Sequence, residues 1–100
     1  MEIGVDSFAA FKSDAAPGEF TPAADRMEAL LAEVETADRV GLDCFGIGEH
    51  HRKEFLDSAP AVILAAAAAR TKNIRLSSAV TVLSAADPVR VFQDLSLIHI

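Results

Sequence analysis

The sequence has no tryptophan or tyrosine, a single cysteine, and 9 basic residues against 15 acidic ones. Each shortage excludes something. One cysteine, Cys44, cannot form an internal disulfide, and its place in an apolar run marks it as a small buried hydrophobe; a reducing compartment, the cytoplasm, is the simplest home. A net charge of -6 with no basic run argues against binding a phosphate backbone, so nucleic acid is not an expected partner. No stretch approaches about 18 uninterrupted apolar residues, and the first residues, Met-Glu-Ile-Gly-Val-Asp, lack the basic and apolar regions of a secretory leader. No membrane partner is expected. At 100 residues the chain holds one domain at most, and any large architecture must be incomplete.

What is present is a strand followed by a helix, three times over. Residues 3–8 are β-branched and apolar and suit a buried parallel strand. Residues 9–20, rich in Ala, Ser, Asp, Pro and Gly, form a connection longer than usual for a βα unit. Thr21 is the expected N-cap and Pro22 the first helical residue. Met27, Leu30, Leu31, Val34, Ala37 and Val40 then follow one helical face, and Gly41 ends the helix in the left-handed conformation. A second strand covers 42–47. After a polar connector, 52–57, Ser58 and Pro60 open a second helix over 59–71. The third strand, 74–83, is rich in β-branched residues, and Asp87-Pro88 starts a third helix from 89.

Hairpin signals are missing, so the sheet is parallel with right-handed crossovers. Pattern alone leaves an open sheet and a (β/α)8 barrel equally available. In either, ligands sit at the carboxyl ends of the strands. There the second strand ends in Gly48-Glu49-His50-His51. Adjacent residues on a strand end point apart, which argues against one metal ion on both histidines. Histidine can exchange protons near neutral pH, with Glu49 orienting it or positioning a second group. Alternatively, Glu49 pairs with Arg52 or Lys53 and the histidines fill the top of the sheet. The second helix, Val62-Ile63-Leu64 followed by five alanines, is apolar nearly all round, which suggests either cover by the same chain or a subunit interface that a charge at Ala66 or Ala67 would disrupt.

Residues 41–52 (Gly-Leu-Asp-x-Phe-Gly-Ile-Gly-Glu-His-His-Arg), Ser-Ala-Pro-Ala-Val from 58, Ile-Arg-Leu-x-Ser-Ala-Val-Thr-Val-Leu from 74 and Asp-Pro-Val-Arg-Val-Phe-Gln from 87 occur in order. Together they resemble the amino-terminal part of the bacterial luciferase-like flavin-dependent monooxygenases. The resemblance implies an α/β fold made of the first three βα units of a (β/α)8 TIM barrel, truncated. It also implies an enzyme that uses reduced FMN, or in other branches F420, with O2 to oxidise a small organic substrate. Residue by residue, it implies acid-base roles for His50 and Glu49. It implies flavin support from Ala79 and Val80, through a bulge or cis peptide, and a weaker pocket-wall role for Phe8. Dimerisation through the second and third helices, as a homodimer or heterodimer, follows from the same likeness. A metal-dependent hydrolase and a non-catalytic flavin-binding partner subunit are the alternatives. The likeness covers 1–94 and lapses at Leu-Ser-Leu-Ile-His-Ile, 95–100, which matches a transposase adapter read in frame and is expected to be a non-native tail.

Overall fold

The computed structural model describes residues 1–11 and 21–99. Most of the long connection expected over 9–20 lies outside them. The elements run β1 (Gly4–Ser7), α1 (Ala23–Val40), β2 (Cys44–Ile47), α2 (Pro60–Ala68), β3 (Arg75–Ser78), a short 3-10 turn (Leu83–Ala85) and α3 (Pro88–His99). The strands form one parallel sheet in the order β1-β2-β3, with Val5, Phe45 and Leu76 in one register row and Ser7, Ile47 and Ser78 in another. This is the alternating α/β architecture that the absence of hairpins implies.

The core lies between the sheet and the helices. Leu30, Leu31, Val34 and Ala37 of α1, Phe45 and Ile47 of β2, Ile63, Leu64 and Ala67 of α2, and Leu76 of β3 are all buried. On α1 the spacing of those residues makes a single stripe, which is why the helix lies with that face on the sheet. Its end is set by Gly41, at φ 85°, whose N–H donates to the Asp38 carbonyl (3.2 Å) while that of Leu42 reaches back to Ala37 (3.0 Å). Only a residue free of a Cβ takes that conformation without strain.

Several boundaries differ from the sequence reading. Pro22, at ψ 137°, is the N-cap of α1 rather than its first helical residue, and no side chain caps the helix, so Thr21 lies outside it. Val40 is 67% exposed, because the helix face rotates away from the sheet by its last turn, while Arg26 takes a buried place that periodicity did not mark. The strands are shorter than the apolar runs: β2 begins at Cys44, and β3 stops at Ser78. β1 lies at the sheet edge and is largely exposed, against the expectation of a buried strand. Helix α2 ends at Ala68, before Arg70 and Thr71, and its N-cap is Ala59, not Ser58. The Asp87 cap holds: its Oδ1 accepts from Val89 N–H at 2.8 Å and Arg90 N–H at 3.3 Å. Helix α3 continues past Asp94, with Leu95 and Ile98 packed against the core.

At the amino ends of the strands one carboxylate organises a whole turn. Asp38 accepts from the amides of Lys72, Asn73 and Ile74 at 2.9, 2.9 and 2.8 Å, tying α1 to the start of β3. Those backbone bonds hold the Asp38 carboxyl below its usual range. Asp43 similarly accepts from Ile3 N–H at 2.7 Å.

Candidate functional site

The opposite ends of the strands converge on Gly48. Its N–H donates to Ser7 O at 3.0 Å, and the neighbouring Ala79 N–H donates to Ile47 O at 2.7 Å, so the last residues of all three strands sit at one level. Gly48 is a glycine for lack of room. A Cβ there would stand 2.7 Å from Phe8 Cδ1, 2.9 Å from Asp57 Oδ2 and 3.2 Å from His50 Cε1. The bare backbone lets three side chains close over it.

Those three side chains form one cluster around His50. The imidazole lies against two phenyl rings, tilted to both, with centroid separations of 4.6 Å to Phe8 and 4.7 Å to Phe55, and the two phenyls meet edge-on at 6.4 Å. Its Nδ1 is 2.9 Å from Oδ2 of Asp57, whose side chain is 0% exposed. The ring is thus held by two tilted aromatic contacts and by a hydrogen bond to a buried carboxyl group. Among the described residues Nε2 of His50 has no hydrogen-bond partner, and neither has Oδ1 of Asp57.

Phe55 and Asp57 reach this place because the connector folds back on the end of β1. Phe11 N–H donates to Glu54 O (3.0 Å), Leu56 N–H to Ala9 O (3.1 Å), and Ala10 and Phe55 form an antiparallel bridge. Fully buried Ala9, at φ 48°, makes the bend, and its N–H donates to Ser7 Oγ at 3.1 Å. Buried Arg26 braces the same segment through Nε to Ala10 O (2.7 Å) and pairs with Glu33 (3.2 Å).

Glu49 points elsewhere. Its Oε2 accepts from Val82 N–H at 2.7 Å and its Oε1 is 2.8 Å from Nε2 of exposed His51. The Val82 amide, and after it His51, hold the Glu49 carboxyl below its usual range against the opposing effect of burial. Glu49 therefore neither orients His50 nor pairs with Arg52 or Lys53; Arg52 pairs with Glu54 instead, at 2.8 Å. Through Val82, Glu49 links the end of β2 to the segment after β3, where the Ala79–Val80 peptide is cis. The two histidines diverge, as expected of adjacent strand-end positions, and among the described residues no three His, Cys, Asp or Glu side chains gather as a metal site.

Of the residues marked from sequence, Phe8 and His50 are in contact, Glu49 reaches the Ala79–Val80 segment through its neighbour Val82, and the two groups make separate hydrogen-bond systems. The sequence reading missed Asp57 and Phe55, which it placed in a polar connector. The available signal was the pair Phe55-Leu56, an apolar interruption of a charged run and a sign that the connector packs inward.

Comparison with known proteins agrees with this architecture. The uncharacterized protein y4wF of Sinorhizobium fredii is 32% identical over 69 residues, 68% of this chain and 20% of that protein. Among solved structures, apo-MsnO8 superposes with a TM-score of 0.83 at 27% identity, covering 98% of this chain and 28% of its own. The monooxygenase RslO1 from Streptomyces bottropensis gives 0.82 at 28% identity, covering 98% and 29%. The oxygenating constituent of 3,6-diketocamphane monooxygenase from Pseudomonas putida, in complex with FMN, gives 0.80 at 23%, a likeness of fold alone that covers 98% and 26%. The chain thus spans about a fifth of its curated relative and under a third of these structures, and its three βα units are the first three of the barrel. The luciferase-like monooxygenase profile matches residues 1–99, and the chain belongs to that family.

Proposed function

We propose that the chain supplies part of the pocket of a flavin-dependent monooxygenase that oxidises a small organic substrate with O2. The observation that carries this reading is the His50 ring, set against Phe8 and Phe55, anchored at Nδ1 and, among the described residues, left with Nε2 unpartnered at the carboxyl ends of the strands. A group so placed can take or return a proton without losing its position. Family membership supplies the reaction class.

The strand ends suit a flat ring system. Gly46 carries no side chain, and a Cβ there would stand 2.8 Å from that of Ala79, so the floor is kept shallow by small residues. Phe8 and Val80 are exposed apolar side chains at that level, and with Ala79 they are the residues we assign to hold the flavin. Reduced FMN, held there, would supply the electrons that O2 requires, whereas F420, the alternative, would serve as a hydride donor. Glu49 keeps the segment after β3 in register with β2, so its catalytic part is to shape the pocket. The compartment we assign is the cytoplasm; among the described residues no helix is long and apolar enough to cross a membrane. The family match runs on to residue 99, and Leu95 and Ile98 pack on the core. The division into a family segment, 1–94, and a non-native tail, 95–100, therefore rests on the sequence of the tail alone, and resequencing the source DNA beyond the Asp94 codon tests it.

A second subunit fits the outer faces of α2 and α3, where Val62 is 70% and Phe92 72% exposed. Ala66→Glu on the exposed face converts a dimer of the full-length protein to monomers by sedimentation. Ala67, only 1% exposed, faces the core, so a charge there unfolds the chain rather than separating subunits. The test of activity is anaerobic titration of the full-length protein with reduced FMN and reduced F420, then O2 and a panel of aldehydes, alkanes and sulfonates. One flavin binds and supports oxidation, and His50→Ala lowers kcat by about 10²-fold to 10⁴-fold. Binding of neither flavin rejects the reading.

A further inference from the structure

We infer that Asp57 is the positioning residue of the site: it fixes His50 in the Nδ1–H form, so that Nε2 presents its lone pair to the substrate. The inference rests on the monooxygenase reading for the identity of the reaction, but its geometry stands apart from it.

Three observations point the same way. First, the Asp57 side chain is fully buried, and among the described residues its one hydrogen bond is at Oδ2, which as a carboxylate oxygen accepts from Nδ1 of His50 at 2.9 Å. A buried carboxylate with a single partner, and an Oδ1 that has none among the described residues, costs stability; an apolar side chain of similar volume serves the core as well. The core does not explain an aspartate here, whereas the imidazole does. Second, the rest of the cluster is built around that pair. Gly48 leaves the space that Asp57 Oδ2 and His50 Cε1 occupy, and Phe8 and Phe55 lie against the imidazole ring. Third, Asp57 is held on a segment fastened on either side: Leu56 N–H donates to Ala9 O, and Pro60 opens α2 three residues later. A carboxylate on rigid backbone, bonded to the ring nitrogen remote from the reacting one, sets tautomer and orientation without itself touching substrate.

Glu49, next to His50 in sequence, is excluded from this role by its own bonds to Val82 and His51. Had Glu49 oriented His50, the connector carrying Asp57 would be free to vary. The geometry instead makes the connector, through Phe55 and Asp57, the support of the His50 ring.

The test uses full-length protein labelled with ¹⁵N-histidine, with the His50 ring signals assigned by their loss in His50→Gln. With the ring neutral, the wild type gives an N–H-type signal at Nδ1 and a bare-nitrogen signal at Nε2, the reverse of the form free histidine favours. Asp57→Asn turns an amide N–H toward Nδ1 and exchanges the two signals. In turnover the same variant loses about 10²-fold to 10⁴-fold in kcat while substrate KM stays within about twofold. A wild-type ring with the proton on Nε2 overturns the inference, as does an Asp57→Asn protein whose ring signals are unchanged. If Asp57→Asn fails to fold, the wild-type signals alone decide. A wild type inactive with both flavins rejects the monooxygenase reading, and the nitrogen signals, which need no flavin, still judge Asp57.

Discussion

The two ends of the sheet use the same side chain for opposite purposes. At the amino ends Asp38 gathers three backbone amides and Asp43 one, so these carboxylates are bonded to backbone and tie separate elements together. At the carboxyl ends Glu49 divides itself between one amide and an imidazole, and Asp57 is given wholly to an imidazole, with one oxygen unmatched. Burial runs against simple expectation, because Asp57, the less satisfied of these carboxylates, is the most deeply enclosed. A carboxylate bonded to backbone secures the fold; one buried against a titratable ring secures the ring. The difference separates a structural end from a chemical one without reference to any ligand.

Gly48→Ala presses hardest on that comparison. The added Cβ meets Phe8, Asp57 and His50 at 2.7 to 3.2 Å, so the cluster must open. We expect a loss of about 1–3 kcal/mol in stability together with loss of activity, read by denaturant unfolding and turnover of the full-length protein. If the variant keeps both, the cluster is looser than its distances state.

Asp38→Ala is the matched perturbation at the other end. It removes the acceptor of three amides, so thermal stability falls, while kcat of the protein that remains folded is unchanged. A drop in kcat equal to that of the His50 variants would erase the distinction between the two ends.

Acid separates the carboxylates more finely. Both Asp38 and Glu49 have carboxyls held below their usual range in the folded chain, chiefly by backbone amides. The stability they contribute is therefore fully present above ordinary carboxylate pKa values, about 4, and is lost as pH falls through their lowered folded values. Glu49→Gln lowers the melting temperature near neutrality, where the wild type has the full contribution, and flattens the acid limb below about pH 5, so that the two proteins converge in acid. An unchanged acid limb would mean that the Val82 bond is not kept in solution.

The smallest effect belongs to the Glu28–Arg70 pair, bidentate at 2.9 and 3.1 Å yet on the surface. Arg70→Ala should unfold with the wild type, because exposed ion pairs are screened and entropically costly. Its geometry is as good as any in the molecule, which makes it the control for arguments from distance alone.

Much of this was legible in one dimension. The alternation of strand and helix, the left-handed Gly41, the Asp87 cap and the stripe from Leu30 to Ala37 depend on residues a few positions apart, and local sterics and helical periodicity decide them. So does the divergence of His50 and His51. The linked motifs from 41 to 93 were enough to point to the family. What tertiary structure alone decided were the partners that come from a distance in the chain. Asp57 reaches His50 because the connector doubles back onto Ala9; Glu49 finds Val82, 33 residues away, instead of Arg52 or Lys53; Asp38 collects amides 34 to 36 residues on. A carboxylate's partner is set by which donors the fold leaves without water, and that depends on how elements are stacked, not on how residues are ordered.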